Sequence, residues 1–354
     1  MLFATVKRLL AARRAAERRS RKGKGRAATA APAAGGTGAG DGTNGEGADA
    51  GEATSLGPRR VIIASATLDP AKLSAYFFGA PVLRVPGRCF PVQIFHAARP
   101  SGGSAALLEA AIELALRLHV EAADGGLNAE GSSAQADVAT DGGALATRGD
   151  GGGGDGGGEG GGEGDLLMFL TGQEEIETAA QAVRALAEEL AGEMPHLPRL
   201  EVLPLHATLP VEEQTRVFAP AVRGVRRLIV ATNIAETSVT LPHVRVVIDT
   251  GQVKEKHYAN DKGMEVLSVV PISQSAATQR AGRAGRTAAG TVWRLYSEAQ
   301  FRSMPAAPTP EIRRCNLANV VLGLKRMGLK ELHAVDWLDP PEPAALRQAA
   351  LDNT

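Results

Sequence analysis

Short apolar runs alternate with amphipathic segments over most of the chain from residue 61 onward. Runs of this length, rich in Val, Ile and Leu and followed by small polar residues, are typical of parallel strands that are buried on both faces. Strands that alternate with helices predict an α/β fold with a doubly wound parallel sheet. The runs that predict strands are 61–63, 166–170, 202–205, 228–231 and 246–248.

The segments between these runs carry the helical signals. Residues 105–120 place apolar side chains at helical spacing, and 173–190 begin with Gln and Glu, as a helix N-terminus prefers. Residues 251–270 form two extended arms around "ANDKG", which predicts a β-hairpin. From 310 the sequence predicts an amphipathic helix that a proline starts. Two shorter helices are predicted from "PAKLSAYF" and "PVEEQTRVFA".

Polar clusters follow the predicted strands. They read "SAT", "TGQ", "ATNIAETS" and "DTG", and each comes directly after an apolar run. Ligands of open parallel sheets bind where the strands end. Taken singly, Ser and Thr at a strand end cap helices more often than they bind ligands, and Asn is most often a turn residue.

Composition divides the chain into folding and non-folding parts. Most of the 42 glycines fall within 35–57 and 121–164, and aromatic residues make up 4% of the chain. These two glycine-rich stretches cannot bury enough apolar surface to offset chain entropy, so they are predicted to be disordered insertions. Cys89 and Cys315 are far apart and form no CxxC pair, which favours a reducing compartment over a zinc site or a disulfide framework.

Charge is balanced overall but not locally. The chain has 39 basic and 39 acidic residues, yet residues 7–26 contain ten Lys or Arg against one Glu. Such a segment can be a targeting helix, a nuclear-localisation patch, a nucleic-acid arm or a solvated basic helix. No apolar run approaches the roughly 20 residues of a membrane span, so no membrane partner is expected.

A second basic cluster, "QRAGRAGR" at 279–286, spaces three arginines one helical turn apart. Arg280, Arg283 and Arg286 would share a helix face and repel one another unless an anion sat between them. Gly282 and Gly285 would let a backbone or ligand come close. The cluster is therefore either a solvated basic face or a clamp for polyphosphate.

Five blocks of the sequence, in this order, closely resemble the DEAH-box helicases of superfamily 2. They are "SATLDPAKLSAYF…VPGRCFPVQIFH", "LLMFLTGQEEIE", "LPLHATLPVEEQTRVF", "VATNIAETSVTLPHVRVVIDTG" and "QRAGRAGR". The resemblance implies a RecA-like fold with a complete second helicase lobe, a remnant of the first lobe and the start of a winged-helix domain. It also implies ATP-dependent RNA helicase activity, with ATP and Mg²⁺ as cofactors and RNA as partner.

Residue roles follow from this resemblance, position by position. The glutamine and the last two arginines of the sixth motif would face the γ-phosphate, where an arginine finger can raise the rate about a thousandfold or more. The resemblance assigns contact with the γ-phosphate to Gln279, Arg283 and Arg286. It assigns the coupling between nucleotide state and RNA binding to Ser65 and Thr67, and stacking on the nucleotide base to Phe218. It assigns contacts with the RNA backbone to Thr171, Gly172, Gln173, Thr232 and Asn233. For Phe218, a core position on a helix face remains an alternative.

Two family motifs do not occur in this sequence. A Walker A loop holds the phosphates and an acidic second motif holds Mg²⁺ in this class, and neither is found among the 354 residues. The opening "MLFATVKRLLAARR" resembles the helix after the second motif, so the chain is expected to start just after that motif. In "TLPHV", Pro242 and His243 stand where many members carry an acidic residue, so the sequence departs from the family pattern at the position of a ribose contact.

The resemblance sets the predicted domain boundaries and the function. The wording of "MEVLSVV" and "RRCNLANVVLGL" leans towards nucleolar ribosome-biogenesis members, which predicts a nuclear or nucleolar location, with the cytoplasm as the alternative. An activating protein or a ribonucleoprotein is a further possible partner. The alternative function is a non-catalytic module that binds RNA or a partner, and a DNA helicase is a third reading.

The predicted domain boundaries are 1–26 (basic helix of the first lobe), 27–57 (insertion), 58–100 (end of the first lobe), 101–308 (second lobe, with its insertion at 121–164) and 309–354 (start of the winged helix).

Overall fold

The described residues of a computed structural model form two compact units. The sheet unit comprises Val85–Leu317, and the helical unit comprises Met1–Arg84 together with Ala318–Thr354. The structure describes residues 7, 61–64, 69–85, 87, 90–98, 102–124, 138–140, 164–220, 222–237, 240–259, 263–329, 331–332 and 335–351.

A seven-stranded sheet organises the sheet unit. Six of its strands are parallel, and the seventh is a short antiparallel strand at one edge. The strands are β1 (Val92–Ala97), β2 (Val138–Thr140), β3 (Asp165–Phe169), β4 (Arg199–Leu205), β5 (Val225–Ala231), β6 (Val244–Asp249) and β9 (Gly290–Arg294), with β7 (Gln252–Ala259) and β8 (Met264–Pro271) forming a separate hairpin. Their order in the sheet is β2-β1-β9-β6-β3-β5-β4.

Helices cover both faces of this sheet, which confirms the doubly wound α/β prediction. Alternate residues of β3 enter opposite cores, because successive side chains of a strand point to opposite faces. Leu166 and Met168 join one core, and Leu167 and Phe169 join the other. The helices are α1 (Pro70–Tyr76), α2 (Ser104–Ala123), α3 (Gln173–Glu193), α4 (Val211–Thr215), α5 (Ile234–Thr237), α6 (Gln274–Ala281), α7 (Glu298–Ser303), α8 (Ala318–Arg326) and α9 (Pro343–Leu351).

The two cores differ in the helices that close them. The first packs α2 and α3 against the sheet through residues such as Leu118 and Ile176. The second packs α5 and α6 through Ala235 and Ala281, together with Ala284 just beyond α6. The second core therefore lies under the elements that carry "TNIAETS" and "QRAGRAGR".

One predicted strand is wrong. Residues 61–63 have no regular secondary structure and pair with no strand of the described chain, and Ile62 exposes 90% of its surface. A β-branched run becomes a buried strand only where neighbouring strands provide its hydrogen bonds and cover its faces.

The sheet extends further than the sequence suggested. β9, which was not predicted, pairs with both β1 and β6 and so lies inside the sheet. β1 falls before the predicted lobe boundary at residue 100, and that boundary separates β1 from the sheet to which it is hydrogen-bonded.

Part of the predicted insertion 121–164 is ordered. Helix α2 continues through Ala123, and residues 138–140 pair antiparallel with 95–97 of β1. Val138 and Thr140 are β-branched, and this favours strand pairing even within a glycine-rich stretch. The other predicted insertion, at 27–57, lies outside the described residues, as does the basic segment 1–26 except for Lys7.

The predicted hairpin is confirmed, with Ala259 paired to Met264 across the turn. The predicted helix from 310 is wrong in its start, since a 3₁₀ turn occupies Glu311–Arg313 and α8 begins at Ala318. The hairpin explains this, because the backbone N–H of Tyr258 donates to the carbonyl of Arg314 at 2.7 Å and takes that residue out of a helix.

The helical unit has its own local contacts. The hydroxyl of Tyr76 donates to the carbonyl of Asp336 at 2.5 Å, and Lys72 forms an ion pair with Asp339. Val321 and Leu324 of α8 are buried.

Among all helices that the structure describes, none combines the length and the apolar character that a membrane crossing needs. The winged-helix assignment of 309–354 stays a prediction.

Candidate nucleic-acid and phosphate sites

The loops after β3 and β5 lie side by side at one edge of the sheet. β3 and β5 are parallel neighbours, so their carboxyl ends open at the same edge. Thr171, Gly172 and Gln173 follow β3, and Thr232 and Asn233 follow β5. The structure thus brings together all five residues that the resemblance assigned to RNA, and we call this group the carboxyl-edge loops.

The first of these loops opens helix α3. The backbone N–H and the hydroxyl of Thr171 both donate to the carboxylate of Glu175, at 3.1 and 2.7 Å. Gly172 is the N-cap of the helix, and its missing side chain leaves the first backbone N–H groups without a side-chain cap. Uncapped N–H groups at a helix start, together with the helix dipole, favour an anion.

Gln173 is held by a relay of side chains from the next loop. The hydroxyl of Thr208 donates to Oε1 of Gln173 at 2.8 Å and lies 2.7 Å from Nδ1 of the buried His206. The amide of Gln173 in turn donates to Glu177 at 2.7 Å. Because the one hydroxyl proton of Thr208 goes to Gln173, Nδ1 of His206 carries the proton that Thr208 accepts.

Thr232 and Asn233 are fixed mainly through their backbone. The N–H of Thr232 donates to the carbonyl of Leu205 at 3.2 Å, which ties the end of β5 to the end of β4. The carbonyl of Asn233 accepts from the N–H of Glu236 at 3.0 Å, while the residue itself is exposed. The Asn233 side chain therefore faces solvent from a fixed turn.

Sequence reasoning missed a basic residue at this edge. Lys254 of β7 crosses Gly172 so closely that a Cβ on this glycine would lie 3.6 Å from Cδ and 3.7 Å from Nζ of the lysine. An exposed ammonium group thus stands over the start of α3. A signal was present, since Lys254 lies on the first arm of the predicted hairpin just after "DTG". The same strand-end argument would have found His206 and Thr208 after β4.

The arginine cluster does not form a helical face. Helix α6 ends at Ala281, and residues 282–288 are a series of turns, so only Arg280 lies on the helix. The prediction that three arginines share one helix face is therefore wrong. Beyond the helix, Gly285 lies against the start of β1, because its carbonyl accepts from the N–H of Phe90 at 2.9 Å and a Cβ there would lie 2.6 Å from Val92.

Arg280 is completely buried and fully engaged. Its Nε donates to the carboxylate of Glu236 and its Nη1 to that of Asp249, both at 2.8 Å. Its Nη2 donates to the carbonyl of Gln252 at 3.1 Å, and the guanidinium lies 4.7 Å from the ring centre of Phe169. A guanidinium with these partners and no exposed surface is not available to a ligand.

The buried charges of this network are unevenly balanced. Burial works against the charged form of Arg280, but the carboxylates of Asp249 and Glu236 outweigh it and raise the pKa of the guanidinium. Burial also raises the pKa of the Glu236 carboxyl, and the charge of Arg280 offsets only part of this effect. One guanidinium shared by two buried carboxylates accounts for both directions.

Arg283 and Arg286 lie further along the same segment. Nη2 of Arg283 donates to the backbone carbonyl of Glu236, and Nη1 of Arg286 donates to the hydroxyl of Thr240 at 2.9 Å. Burial first, and repulsion from Arg286 second, lower the pKa of Arg283 to about 10. An anion held between the two guanidinium groups would relieve this repulsion, so their chemistry fits a phosphate ligand.

This arginine segment, 283–287, reaches the amino ends of β6 and β9. The hydroxyl of Thr287 donates to the carbonyl of Pro242, two residues before β6, at 2.6 Å. The segment therefore lies towards the opposite end of the sheet from the carboxyl-edge loops. Gln279, on α6, is half-buried.

Phe218 exposes 47% of its surface, while its neighbour Val217 is buried in the second core. The exposure argues against a core position for Phe218 and leaves its ring accessible. Ser65 and Thr67 lie outside the described residues. Within the described ranges, no cluster of His, Cys, Asp or Glu side chains has the arrangement of a metal site.

Comparison with known proteins is consistent with this architecture. Residues 162–288 match the family model of the helicase conserved C-terminal domain. The chain is 38% identical over 83% of its length to pre-mRNA-splicing factor ATP-dependent RNA helicase prp22 of Schizosaccharomyces pombe. It is 38% identical over 82% of its length to human ATP-dependent RNA helicase DHX33. It spans 21% and 35% of these two relatives, which is well under half of either protein.

Solved structures give the same result for the fold. Two crystal structures of HrpB from Escherichia coli, described as a DExH-box NTPase and as a DEAH/RHA helicase, superpose with TM-scores of 0.59 and 0.60. Each covers 81% of this chain, at 27% and 29% sequence identity. The matched region spans 29% and 30% of those chains.

Proposed function

Since the chain belongs to the DEAH-box ATP-dependent RNA helicases and spans a C-terminal portion of them, we propose that it supplies the second RecA-like lobe of such an enzyme. ATP with Mg²⁺ would supply the phosphoryl group, and RNA would be the polymer that is unwound or remodelled. The observation that carries the proposal is the arrangement of the two sites on one sheet unit, with the carboxyl-edge loops at one end and the arginine segment towards the other.

At the phosphate site, the proposed work of this chain is electrostatic. Arg283 and Arg286 would stabilise negative charge on the transferring phosphoryl group, with Gln279 beside them. Their own repulsion, which lowers the pKa of Arg283, makes an anion a favourable neighbour. The exposed ring of Phe218 would stack on the nucleotide base, and Ser65 with Thr67 would couple the nucleotide state to RNA.

At the RNA site, the proposed contacts are to the backbone of a single strand. The uncapped N–H groups at the start of α3, the exposed Asn233 and the ammonium of Lys254 offer donors and positive charge but no base-reading surface. Contacts of this kind give affinity without sequence readout. A nuclear or nucleolar location and a helicase-activating or ribonucleoprotein partner belong to the same proposal.

The test is an arginine substitution in a protein that carries both helicase lobes. We expect Arg286→Ala to abolish ATP turnover, a loss of about a thousandfold, because a residue of this kind stabilises the transferring phosphoryl group. RNA binding, measured by fluorescence anisotropy, should stay close to that of the parent. Arg302→Ala is the matched control, since Arg302 is exposed on α7 and pairs only with Glu298 of the same helix among the described ion pairs. An equal loss of turnover and RNA binding in Arg286→Ala would contradict the assigned role.

A second candidate function is a non-catalytic module that binds RNA or a helicase partner. It is favoured by the lack of a Walker A loop and of a DEAH-like tetrad among the 354 residues. We therefore propose that these residues alone have no appreciable ATPase activity, and phosphate release with and without RNA measures this. RNA-stimulated release well above background would contradict it.

A further inference from the structure

Arg280 joins the two proposed sites although it belongs to neither. We propose that Arg280 is a positioning residue that couples the carboxyl-edge loops to the arginine segment, and that it does not contact phosphate. This inference rests on the proposed function, because it concerns how RNA at one site acts on the other. The sequence alone places Arg280 beside Arg283 and Arg286 as an equal member of a basic cluster.

On the RNA side, Arg280 contacts protein residues that adjoin the two carboxyl-edge loops. Its guanidinium lies over the ring of Phe169, which ends β3 two residues before Thr171. Its Nε holds the carboxylate of Glu236, whose N–H donates to the carbonyl of Asn233. Its Nη2 holds Gln252, the first residue of the hairpin that carries Lys254.

On the phosphate side, the connection passes through the same Glu236. Arg280 binds the side chain of Glu236, and Arg283 binds its backbone carbonyl. Thr240, the partner of Arg286, follows Glu236 by four residues. A displacement of the turn at Asn233 therefore moves Glu236, and Glu236 is a direct partner of Arg283.

The chemistry of Arg280 suits a coupling element better than a ligand group. Its three nitrogens donate to three separate chain segments from fixed positions in one plane, whereas an ammonium offers its donors from a single nitrogen. Removal of the guanidinium would leave two carboxylates without their shared counter-charge, so the network favours one arrangement of its members. Segments that are bonded to one shared group are displaced together, and contiguous networks of this kind carry coupling between sites.

The test uses the 354-residue chain and a single-stranded oligouridylate of about 10 nucleotides. Amide hydrogen exchange is measured with and without RNA for peptides that cover 171–173 and 283–287. In the wild-type chain we expect RNA to slow exchange at both places, by about fivefold at 283–287. In Arg280→Lys we expect the protection at 171–173 to remain and the protection at 283–287 to be lost.

A merely structural role predicts a different result. Exchange would then rise across the whole sheet unit, and RNA would still protect 283–287 in proportion, as in the wild type. Arg302→Lys is the control, because this exposed arginine keeps its charge and lies outside the network. Should Arg280→Lys fail to fold, Glu236→Gln keeps the side-chain volume but removes the negative charge that pairs with Arg280, and we expect it to show the same selective loss.

The outcomes separate this inference from the proposed function. A wild-type chain that binds no RNA would overturn the proposed RNA site and this inference with it. RNA binding without protection at 283–287 would overturn the inference alone. Unchanged remote protection in both Arg280→Lys and Glu236→Gln would also overturn it.

Discussion

The carboxyl-edge loops and the arginine segment are built in different ways. The loops are set by the ends of neighbouring parallel strands, and their contacts run within one loop, as between Thr171 and Glu175, or between strand ends at the same edge of the sheet, as between Thr208 and Gln173. The arginine segment is set by contacts between distant parts of the chain, such as the approach of Phe90 to Gly285. A site that follows strand ends is a consequence of topology, whereas a site made of distant contacts depends on packing.

The largest expected effect comes from filling the space at Gly285. A Cβ at this position would lie 2.6 Å from Val92 and 2.8 Å from the carbonyl oxygen of Phe90, and the backbone cannot yield cheaply. We expect Gly285→Ala to lower the free energy of unfolding by about 2–3 kcal/mol, as measured by chemical denaturation. Gly282→Ala is the control, since its nearest atoms would be 3.5 Å away, and it should change stability by less than about 0.5 kcal/mol. Equal effects of the two substitutions would contradict the close approach.

The relay behind Gln173 gives an intermediate effect at the other site. Thr208→Val keeps the shape of the side chain but leaves the proton of the buried His206 Nδ1 without its partner. We expect a loss of about 1 kcal/mol in the free energy of unfolding, together with weaker RNA binding. Thr215→Val is the control, because Thr215 is exposed and bonds only to a carbonyl of its own helix among the described contacts. Wild-type RNA affinity in Thr208→Val would show that the relay does not position Gln173 for RNA.

A substitution of Lys254 tests how charge at the carboxyl-edge loops contributes to RNA binding, separately from the stability of the fold. We expect Lys254→Ala to leave stability unchanged and to weaken RNA binding severalfold, with the slope of log affinity against log salt reduced by about 0.7. Lys256→Ala on the same hairpin is the control, since its ammonium is paired with Glu265. The same change of slope in both variants would mean that the hairpin acts only through its overall charge.

The smallest effect is a pH dependence that reports on Glu236. Burial raises the pKa of this carboxyl above its ordinary value of 4.5. As the pH rises above 4.5, the Glu236 carboxyl therefore loses its proton in the unfolded chain before it does so in the native protein. The native protein is then less stable relative to the unfolded chain, and its stability falls as the pH rises through the raised pKa. We expect Glu236→Gln to remove this decline, as measured by unfolding at a series of pH values. A wild-type slope that is unchanged in Glu236→Gln would assign the decline to another group.

Much of the fold could be predicted from the apolar pattern. The strands at 165–169, 225–231 and 244–249 and the long helices α2 and α3 follow from periodicity, because each buries a face that the sequence marks clearly. β9 was missed because "GTVWR" is a short run without a distinctive pattern, although it lies between β1 and β6. The run at 61–63 was misread because a β-branched run alone does not show that a neighbouring strand covers it.

At the candidate sites, too, the sequence predicted one part and the packing of distant segments decided the other. The sequence by itself determined which residues gather at the carboxyl edge, because parallel strands open their carboxyl ends together once the fold is known. Only the tertiary structure decided which of the three arginines are buried and which partners they bind. The three have the same chemistry and are evenly spaced along the chain. Arg280 is buried between Glu236 and Asp249, whereas Arg286 reaches a partly exposed position beside Thr240. Burial and partners distinguish these residues, and both are properties of packing between segments far apart in the sequence.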